Sequence, residues 1–437
     1  MYKMLAYKTY SKSRISAILY YMQDTSRYAV GIDIGTNKIR CVVGHVDAST
    51  GAPTIVGVGE VSNSGMRKGV VVNLQGPSKA IDDALGEAER MSGYQVNEAT
   101  LSINGAHILS TKADGMIAIG MSGQEVSAED TARLEDVATT GKVPANREIL
   151  DLVPFSYRLD GQDGIKDPIG MVGTRLEINA NVVSALAPHV ANLQKAAEQA
   201  SVHPHALVPS PVAAARAVLN EQQLENGVAV IDFGGSTTGI AIYEEGDLQY
   251  TSVIPVGGNN ITNDLAIGLK TDPEIAEQVK LQHASAVTGR DSKKVSIKHE
   301  KETFEFEVTD IDEIVEARLE ELFDKINSEL KKAGRKGKLP NGVVLVGDGA
   351  RLKGLVEYSK QTLELAARIG KPKGFGGVAD QLENPSFAAA VGLMFSDMLN
   401  IENPSQAHRK QASSHGVKQS ASQAKGFVNK FLDRFRA

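Results

Sequence analysis

Residues 228–247 read VAVIDFGGSTTGIAIYEEGD, and residues 28–47 read YAVGIDIGTNKIRCVVGHVD. The two stretches share one design: an apolar strand, an Asp-x-Gly corner with small or hydroxyl-bearing neighbours, and a second apolar strand. Glycine at such a corner lets backbone N–H groups come close to an anion, because no Cβ stands in the way. Either stretch alone reads as an ordinary hairpin turn. Repeated half a chain apart, they predict two similar lobes whose hairpins clasp a nucleotide's phosphates from both sides. Gly35, Thr36, Asn37 and Lys38 line the first hairpin, and Gly234, Gly235, Ser236, Thr237 and Thr238 the second. Asp33 and Asp232 are placed to aim carboxylates at a Mg²⁺ ion, through water because magnesium dehydrates reluctantly.

A third glycine turn lies in NGVVLVGDGARLKGL, Asn341–Leu355. It superficially suggests a dinucleotide fingerprint, but Leu352 stands where the third glycine of G-x-G-x-x-G belongs. The chain has no G-x-x-x-x-G-K-[ST], which argues against a P-loop enzyme.

Length and composition agree with a multi-lobed globular protein. At 437 residues the chain exceeds what one compact core organises. The hydrophobic share of 42 % and the charged share of 23 % are ordinary. A net charge of -6 argues against a general nucleic-acid coat, which needs a broad basic surface, and the KKAGRKGK segment near Lys331 reads as a solvated turn. One cysteine, Cys41, excludes an internal disulfide and, lying in an apolar run, reads as a small buried hydrophobe in a reducing cytosol. His203-Pro-His205 lacks a third nearby metal ligand and reads as a loop. From Tyr28 to about Asn400, β-branched runs alternate with amphipathic helical runs, the pattern of an α/β protein.

The two ends differ from this body. Residues 1–27 are basic at first and then apolar over ISAILYYM, too short to span a bilayer and without a cleavage site. They read as a disordered extension or a misassigned start, with Met22 as the alternative start. Residues 403–424 hold almost no large apolar groups and read as a linker. The chain then closes on AKGFVNKFLDRFRA, where Phe427, Val428, Phe431, Leu432 and Phe435 share one helical face and Lys425, Lys430, Arg434 and Arg436 occupy the others. This is an amphipathic helix suited to an anionic membrane surface, although docking on the globular body or on a partner would also use its apolar stripe. Full burial of a Phe or Leu contributes roughly 1.5–3 kcal/mol, and an interfacial helix gains only part of it. Ordering a dozen flexible residues costs on the order of 1 kcal/mol each. One tail therefore binds weakly, and a row of tails binds well.

First hairpin, second hairpin and late glycine turn, in that order and spacing, resemble the phosphate and adenosine motifs of the actin and heat-shock-chaperone ATPase superfamily. The blocks VPFSYRLDGQDGIKDPIGMVGTRLEINANVV, 153–183, and VIPVGGNNITNDLAIGLKTDPEIAEQVKLQHASA, 253–286, narrow the resemblance to the FtsA family of bacterial cell-division proteins. The resemblance implies a two-lobed actin-like (ribonuclease H-like) ATPase fold with an FtsA-type 1C (SHS2) insertion, binding ATP and Mg. It divides the chain into lobe 1A at 28–98, the insertion at 99–187, a return to 1A at 188–206, lobe 2A at 207–263, subdomain 2B at 264–338, a return to 2A at 339–380, a return to 1A at 381–400, a linker at 401–424 and the tail helix at 425–437. It places Gly347, Gly349 and Ala350 at the adenine and ribose. Glu277 and Lys280 match a nucleoside-contacting E-x-x-K pair, though on the residues alone they form a helical charge pair. It implies polymerisation, capture of the FtsZ C-terminal peptide by subdomain 2B, contacts with other division proteins, and a peripheral station on the cytoplasmic face of the membrane at the septum.

Two departures bear on chemistry. Superfamily members with the form E-P-x-A-A-A use its glutamate to orient the attacking water, and Ser210 stands there in LVPSPVAAARAVL. A hydroxyl is a poor general base without an activating partner, so binding with slow hydrolysis is expected unless Gln222, Gln223 or a neighbouring subunit substitutes. Asp348 puts a carboxylate into the GDGA turn and is expected to lower affinity if it sits beside phosphate. Two other readings of the same clasp stay open: a small-molecule kinase or phosphatase, which needs a catalytic acid, and a PilM-like pilus adaptor, which does not need the tail.

Overall fold

The computed structural model describes residues 27–46, 53–120, 123–287, 289–377 and 382–402. The amino-terminal extension, the linker and the tail helix with Phe427, Val428, Lys430, Phe431, Leu432, Arg434 and Phe435 lie outside the described residues.

Two sheets form the frame, and each grows from one of the repeated stretches. In the first, strands Arg27–Ile34, Lys38–Val46 and Pro53–Ser62 make an antiparallel meander, and Glu98–Ile103 and His203–Pro209 add in parallel on the far side of Arg27–Ile34. In the second, Val228–Phe233, Thr238–Glu244 and Asp247–Ile254 make the meander, and Val343–Val346 and Ala367–Ile369 add in parallel. The strand order is therefore the same in both lobes. Strand Val343–Val346 is a continuous apolar run because it is covered on both faces, and all four of its residues are buried. Cys41 is completely buried in the first sheet, as its apolar neighbours predict.

The lobes meet through two helices rich in small residues. Ser210–Val218 covers the second sheet, where a Cβ on Gly239 would lie 2.9 Å from Pro211. Ala388–Glu402 covers the first, where a Cβ on Gly31 would lie 2.3 Å from the Ala390 carbonyl. The helices touch backbone to backbone: a Cβ on Gly392 would lie 1.8 Å from the Ala213 carbonyl oxygen. Any larger residue at 392 would force the lobes apart.

The insertion is a separate antiparallel sheet in the order Leu109–Ala118, Arg175–Leu186, Arg147–Leu159, Gln162–Ile165. Helix Ala128–Thr139, started by a Ser127/Asp130 capping box, closes a core of its own around Leu134, Tyr157, Leu176 and Ile178. It rests on the second lobe, with Lys166 Nζ 2.7 Å from Asp247 and Asn181 Nδ2 donating to the Leu248 carbonyl at 3.1 Å.

Strand pairing moves three expected boundaries. Glu98–Ile103 pairs with Arg27–Ile34, so the insertion opens after Ile103 and not at 99. His203–Pro209 stays in the first sheet, so the crossing into the second lobe follows Pro209 and not residue 206. Gly376 pairs with Thr54, so the chain is back on the first lobe before 380. In each case the strand's partner, which local sequence does not reveal, decides the lobe.

His205 is not loop but strand, and its ring serves a buried network. Asp397, almost fully buried in the last described helix, accepts hydrogen bonds from Val30 N–H at 2.9 Å and Thr100 Oγ1 at 2.7 Å, and lies 3.0 Å from His205 Nδ1. Glu98 meets the other ring nitrogen at 2.7 Å. The hydrogen bond to Asp397, helped by Glu98, lifts the His205 imidazole from 6.5 to about 9. A base lifted on folding stabilises the fold fully below its unfolded value and loses that contribution as pH rises through its folded one. Denaturant titrations should show stability falling by on the order of 2–3 kcal/mol between pH 6.5 and pH 9.5, a slope that His205→Gln removes.

Candidate functional site

Both Asp-x-Gly corners close in the same way. Gly35 N–H donates to the Lys38 carbonyl at 3.0 Å, and Gly234 N–H donates to the Thr237 carbonyl at 2.9 Å. A Cβ would stand 2.7 Å from the Lys38 oxygen in the first and 3.0 Å from the Thr237 oxygen in the second. The corners face each other. The side-chain amides of Asn37 and Asn259 exchange two hydrogen bonds, at 2.7 and 2.8 Å, and Asn259 Nδ2 also donates to Ser236 Oγ at 3.2 Å. A Cβ on Gly235 would lie 2.6 Å from Asn37 Nδ2, so glycine there permits the first hairpin to reach the second.

Behind the corners the acids gather. Asp33 is buried, and Asp232 is partly buried opposite it. Burial, followed by repulsion from Asp33 and Asp348, pushes the Asp232 carboxyl up to about 7. Burial also raises Asp33, against the pull of Arg40 and of hydroxyl donors from Ser102 and Ser210. Ser210, 1 % exposed at the start of its helix, donates to Asp33 Oδ1 at 3.3 Å and accepts from Asn104 Nδ2 at 2.7 Å.

The residue that sequence reasoning missed is Arg40. It lies directly across the hairpin from Asp33 in the strand register. Its Nε donates to Glu60 at 2.7 Å, and one terminal nitrogen donates to both oxygens of Asp348 at 2.9 Å. The guanidinium also packs over the Phe387 ring, 5.2 Å from its centroid. The available signal was an arginine set between buried apolar residues, Ile39 and Cys41, in the strand KIRCVVGHV. This pairing changes the expectation for Asp348, whose charge is answered across the lobes by Arg40.

Other expected phosphate and nucleoside residues divide. Thr36 and Ser236 are partly exposed at the corners and Thr237 is buried beside them. Thr238 is fully buried, and its hydroxyl donates to the Val256 carbonyl at 2.8 Å. The Lys38 ammonium is drawn to Glu60 on the adjacent strand. Gly347, at φ +84°, and Gly349 are required by close packing: Cβ atoms there would lie 2.6 Å from Asp232 Oδ1 and from the Phe233 ring, with Ala350 buried next to them. Glu277 and Lys280 pair at 2.6 Å, and the Lys280 ammonium lies 3.3 Å from the carbonyl of Gly258, whose N–H in turn donates to Gly234 O. The helical charge pair is thus real and also borders the second corner. Among the described residues no group of three or more His, Cys, Asp or Glu is arranged to hold a metal.

Two sheets of one strand order, joined at closely packed helices and closed over matching glycine corners, define an actin-like ATPase fold. Solved structures agree: the PilM-PilN type IV pilus biogenesis complex superposes with a TM-score of 0.64 at 17 % identity, covering 86 % of this chain and 99 % of that one. MreB5 of Spiroplasma citri bound to ADP gives a TM-score of 0.53 at 14 % identity, covering 86 % and 99 %. Residues 229–392 match the family model for cell division protein FtsA, and residues 105–184 match the SHS2 domain inserted in FtsA. The cell division protein FtsA of Pseudomonas aeruginosa is 34 % identical over 374 residues, 85 % of this chain and 89 % of that protein. The FtsA of Escherichia coli K12 is 32 % identical over 379 residues, 84 % and 90 %. The chain belongs to the FtsA family of cell division proteins. No helix among the described residues is long and apolar enough to cross a membrane.

The elevated Asp232 gives a pH signature. An acid raised on folding destabilises the fold as pH climbs from its unfolded value toward its folded one, because the unfolded chain releases the proton first. Asp232→Asn should therefore raise the nucleotide-free stability by roughly 2–4 kcal/mol at pH 7.5 and by little at pH 4, measured by denaturant unfolding at the two pH values.

Proposed function

We propose that this chain binds ATP with Mg²⁺ between its two corners, polymerises, and tethers the FtsZ ring to the cytoplasmic face of the cell membrane at the septum through its C-terminal amphipathic helix. The observation that carries the nucleotide reading is the meeting of two like glycine corners over Asp33 and Asp232. Carboxylate oxygens are the ligands a hard cation takes, and neither acid is tied into a salt bridge of its own, since Arg40 is directed at Glu60 and Asp348. The donor set fits magnesium, with Asp33 and Asp232 holding it, directly or through water. Bound there, it supplies charge neutralisation for the phosphates. The backbone N–H groups of residues 36, 37, 235 and 236, with Thr36, Asn37, Ser236 and Thr237, hold phosphate oxygens. Gly347, Gly349 and Ala350 border the adenosine with Glu277 and Lys280.

Hydrolysis is slow in this reading. Ser210 has one proton and directs it to Asp33, and its oxygen accepts from Asn104, which leaves the hydroxyl unfit to take a proton from water. The same commitment counts against a kinase or phosphatase, and the family membership counts against a pilus adaptor.

Subdomain 2B supplies a place for the FtsZ C-terminal peptide. A groove between the end of helix Gly258–Gly268 and strand Glu302–Glu307 is lined by Ala266, Ile267, Leu269, Lys270, Phe304 and Phe306, with Ile267 78 % exposed. Its apolar residues, bordered by Lys270, Asp272 and Glu305, suit a short amphipathic peptide. Self-association into filaments and an anionic inner membrane surface complete the partners, together with other division proteins; nucleic acid is not among them. Filament formation raises the local concentration of weak tails, so assembly governs attachment.

Liposome flotation tests the tether. With ATP and vesicles containing anionic lipid, the full chain should float and a chain truncated after Ala424 should remain in the load. Equal flotation of the two abandons the membrane helix, whatever the nucleotide does.

A further inference from the structure

The serine at position 210 is part of a chain of side chains that begins outside the two lobes. Asn104 is the first residue after strand Glu98–Ile103, where the chain leaves the first sheet for the insertion. Its place is set by close packing: a Cβ on Gly69, at φ +78°, would lie 3.0 Å from the Asn104 Cβ and 2.8 Å from the Gly105 nitrogen. From there its amide nitrogen reaches Ser210 Oγ at 2.7 Å, and Ser210 Oγ reaches Asp33 Oδ1 at 3.3 Å. Ser210 is 1 % exposed, so water does not compete for its hydroxyl.

Direction follows from donor chemistry. An amide NH₂ only donates, so the serine oxygen is the acceptor of the first bond and its single proton is free for the second. Asp33, as an ionised carboxylate, only accepts. Without Asn104 the hydroxyl can rotate among its neighbours; with it, one rotor position satisfies both partners. A glutamate at 210 could not take this role, because it would stand beside Asp33 as a like charge.

We propose that Asn104 is a positioning residue of the nucleotide site, acting through Ser210: it fixes the serine proton on Asp33 Oδ1 and so aligns that carboxylate for the cation that accompanies the nucleotide. The root of the insertion is thereby joined to the cation side of the cleft by two hydrogen bonds. This inference rests on the ATP and Mg²⁺ reading above.

The test measures ATP affinity by calorimetry across a Mg²⁺ titration and in EDTA, with full-length chains whose folding is checked by thermal unfolding. Asn104→Ala and Ser210→Ala should each weaken Mg²⁺-dependent ATP binding by about tenfold and leave the EDTA value unchanged. Ser210→Thr, which keeps the hydroxyl, should retain wild-type Mg²⁺ dependence. Combining Asn104→Ala with Ser210→Ala should add nothing to either alone, the signature of action through Ser210. A full further loss in the double variant, or equal loss with and without Mg²⁺, overturns the inference while the nucleotide reading stands. Wild-type Mg²⁺ dependence in Asn104→Ala overturns it likewise, and Asn104→Ser provides the same comparison if the alanine variant does not fold. A wild-type chain that ignores ATP overturns the nucleotide reading and this inference together.

Discussion

One buried guanidinium allows this cleft to exist. Asp33, Asp232 and Asp348 approach from three separate segments, and without a counter-charge their mutual repulsion would hold the lobes apart. Arg40 stands among them, bonded to Glu60 on its own sheet and to Asp348 on the other lobe. Arginine suits the position because its rigid fork serves two carboxylates at once and stays charged when buried. Its hydrogen bonds to Glu60 and Asp348 leave Asp33 and Asp232 without a salt bridge of their own.

The remaining lobe contacts are of different kinds and distances. Backbone packing at Gly392 and Ala213 fixes a pivot, and the Asn37–Asn259 amide pair closes the opposite corners. Lys166 and Asn181 carry the insertion onto the second lobe, while Asn104 ties its root to Ser210, at the start of the helix that joins the lobes. The last described helix is held to the first lobe's sheet by Asp397.

Much of this was legible in the sequence. The repeated Asp-x-Gly hairpins foretold two similar lobes because strand alternation and glycine corners are local signals. The buried Cys41 follows from its apolar context in the same way. What stayed hidden depends on partners distant in sequence. Arg40 and Asp348 are 308 residues apart, and nothing near either names the other. Lys38 looked like a phosphate ligand until its strand neighbour proved to carry Glu60. Thr238 looked like a hydroxyl donor to phosphate, yet its hydroxyl donates to the Val256 carbonyl. The domain edges at 99, 206 and 380 shifted because sheet membership is settled by pairing, and His205 looked like loop for the same reason.

The account stands or falls on the two aspartates acting together on a cation. Isothermal titration of ATP into the chain carrying Asp33→Ala and Asp232→Ala, with and without Mg²⁺, measures this most directly. The account predicts that Mg²⁺ tightens ATP binding to the wild type and no longer does so in the double variant, with a loss of about 100-fold or more in the magnesium-containing arm. A folded double variant that binds ATP with undiminished, magnesium-dependent affinity would contradict it.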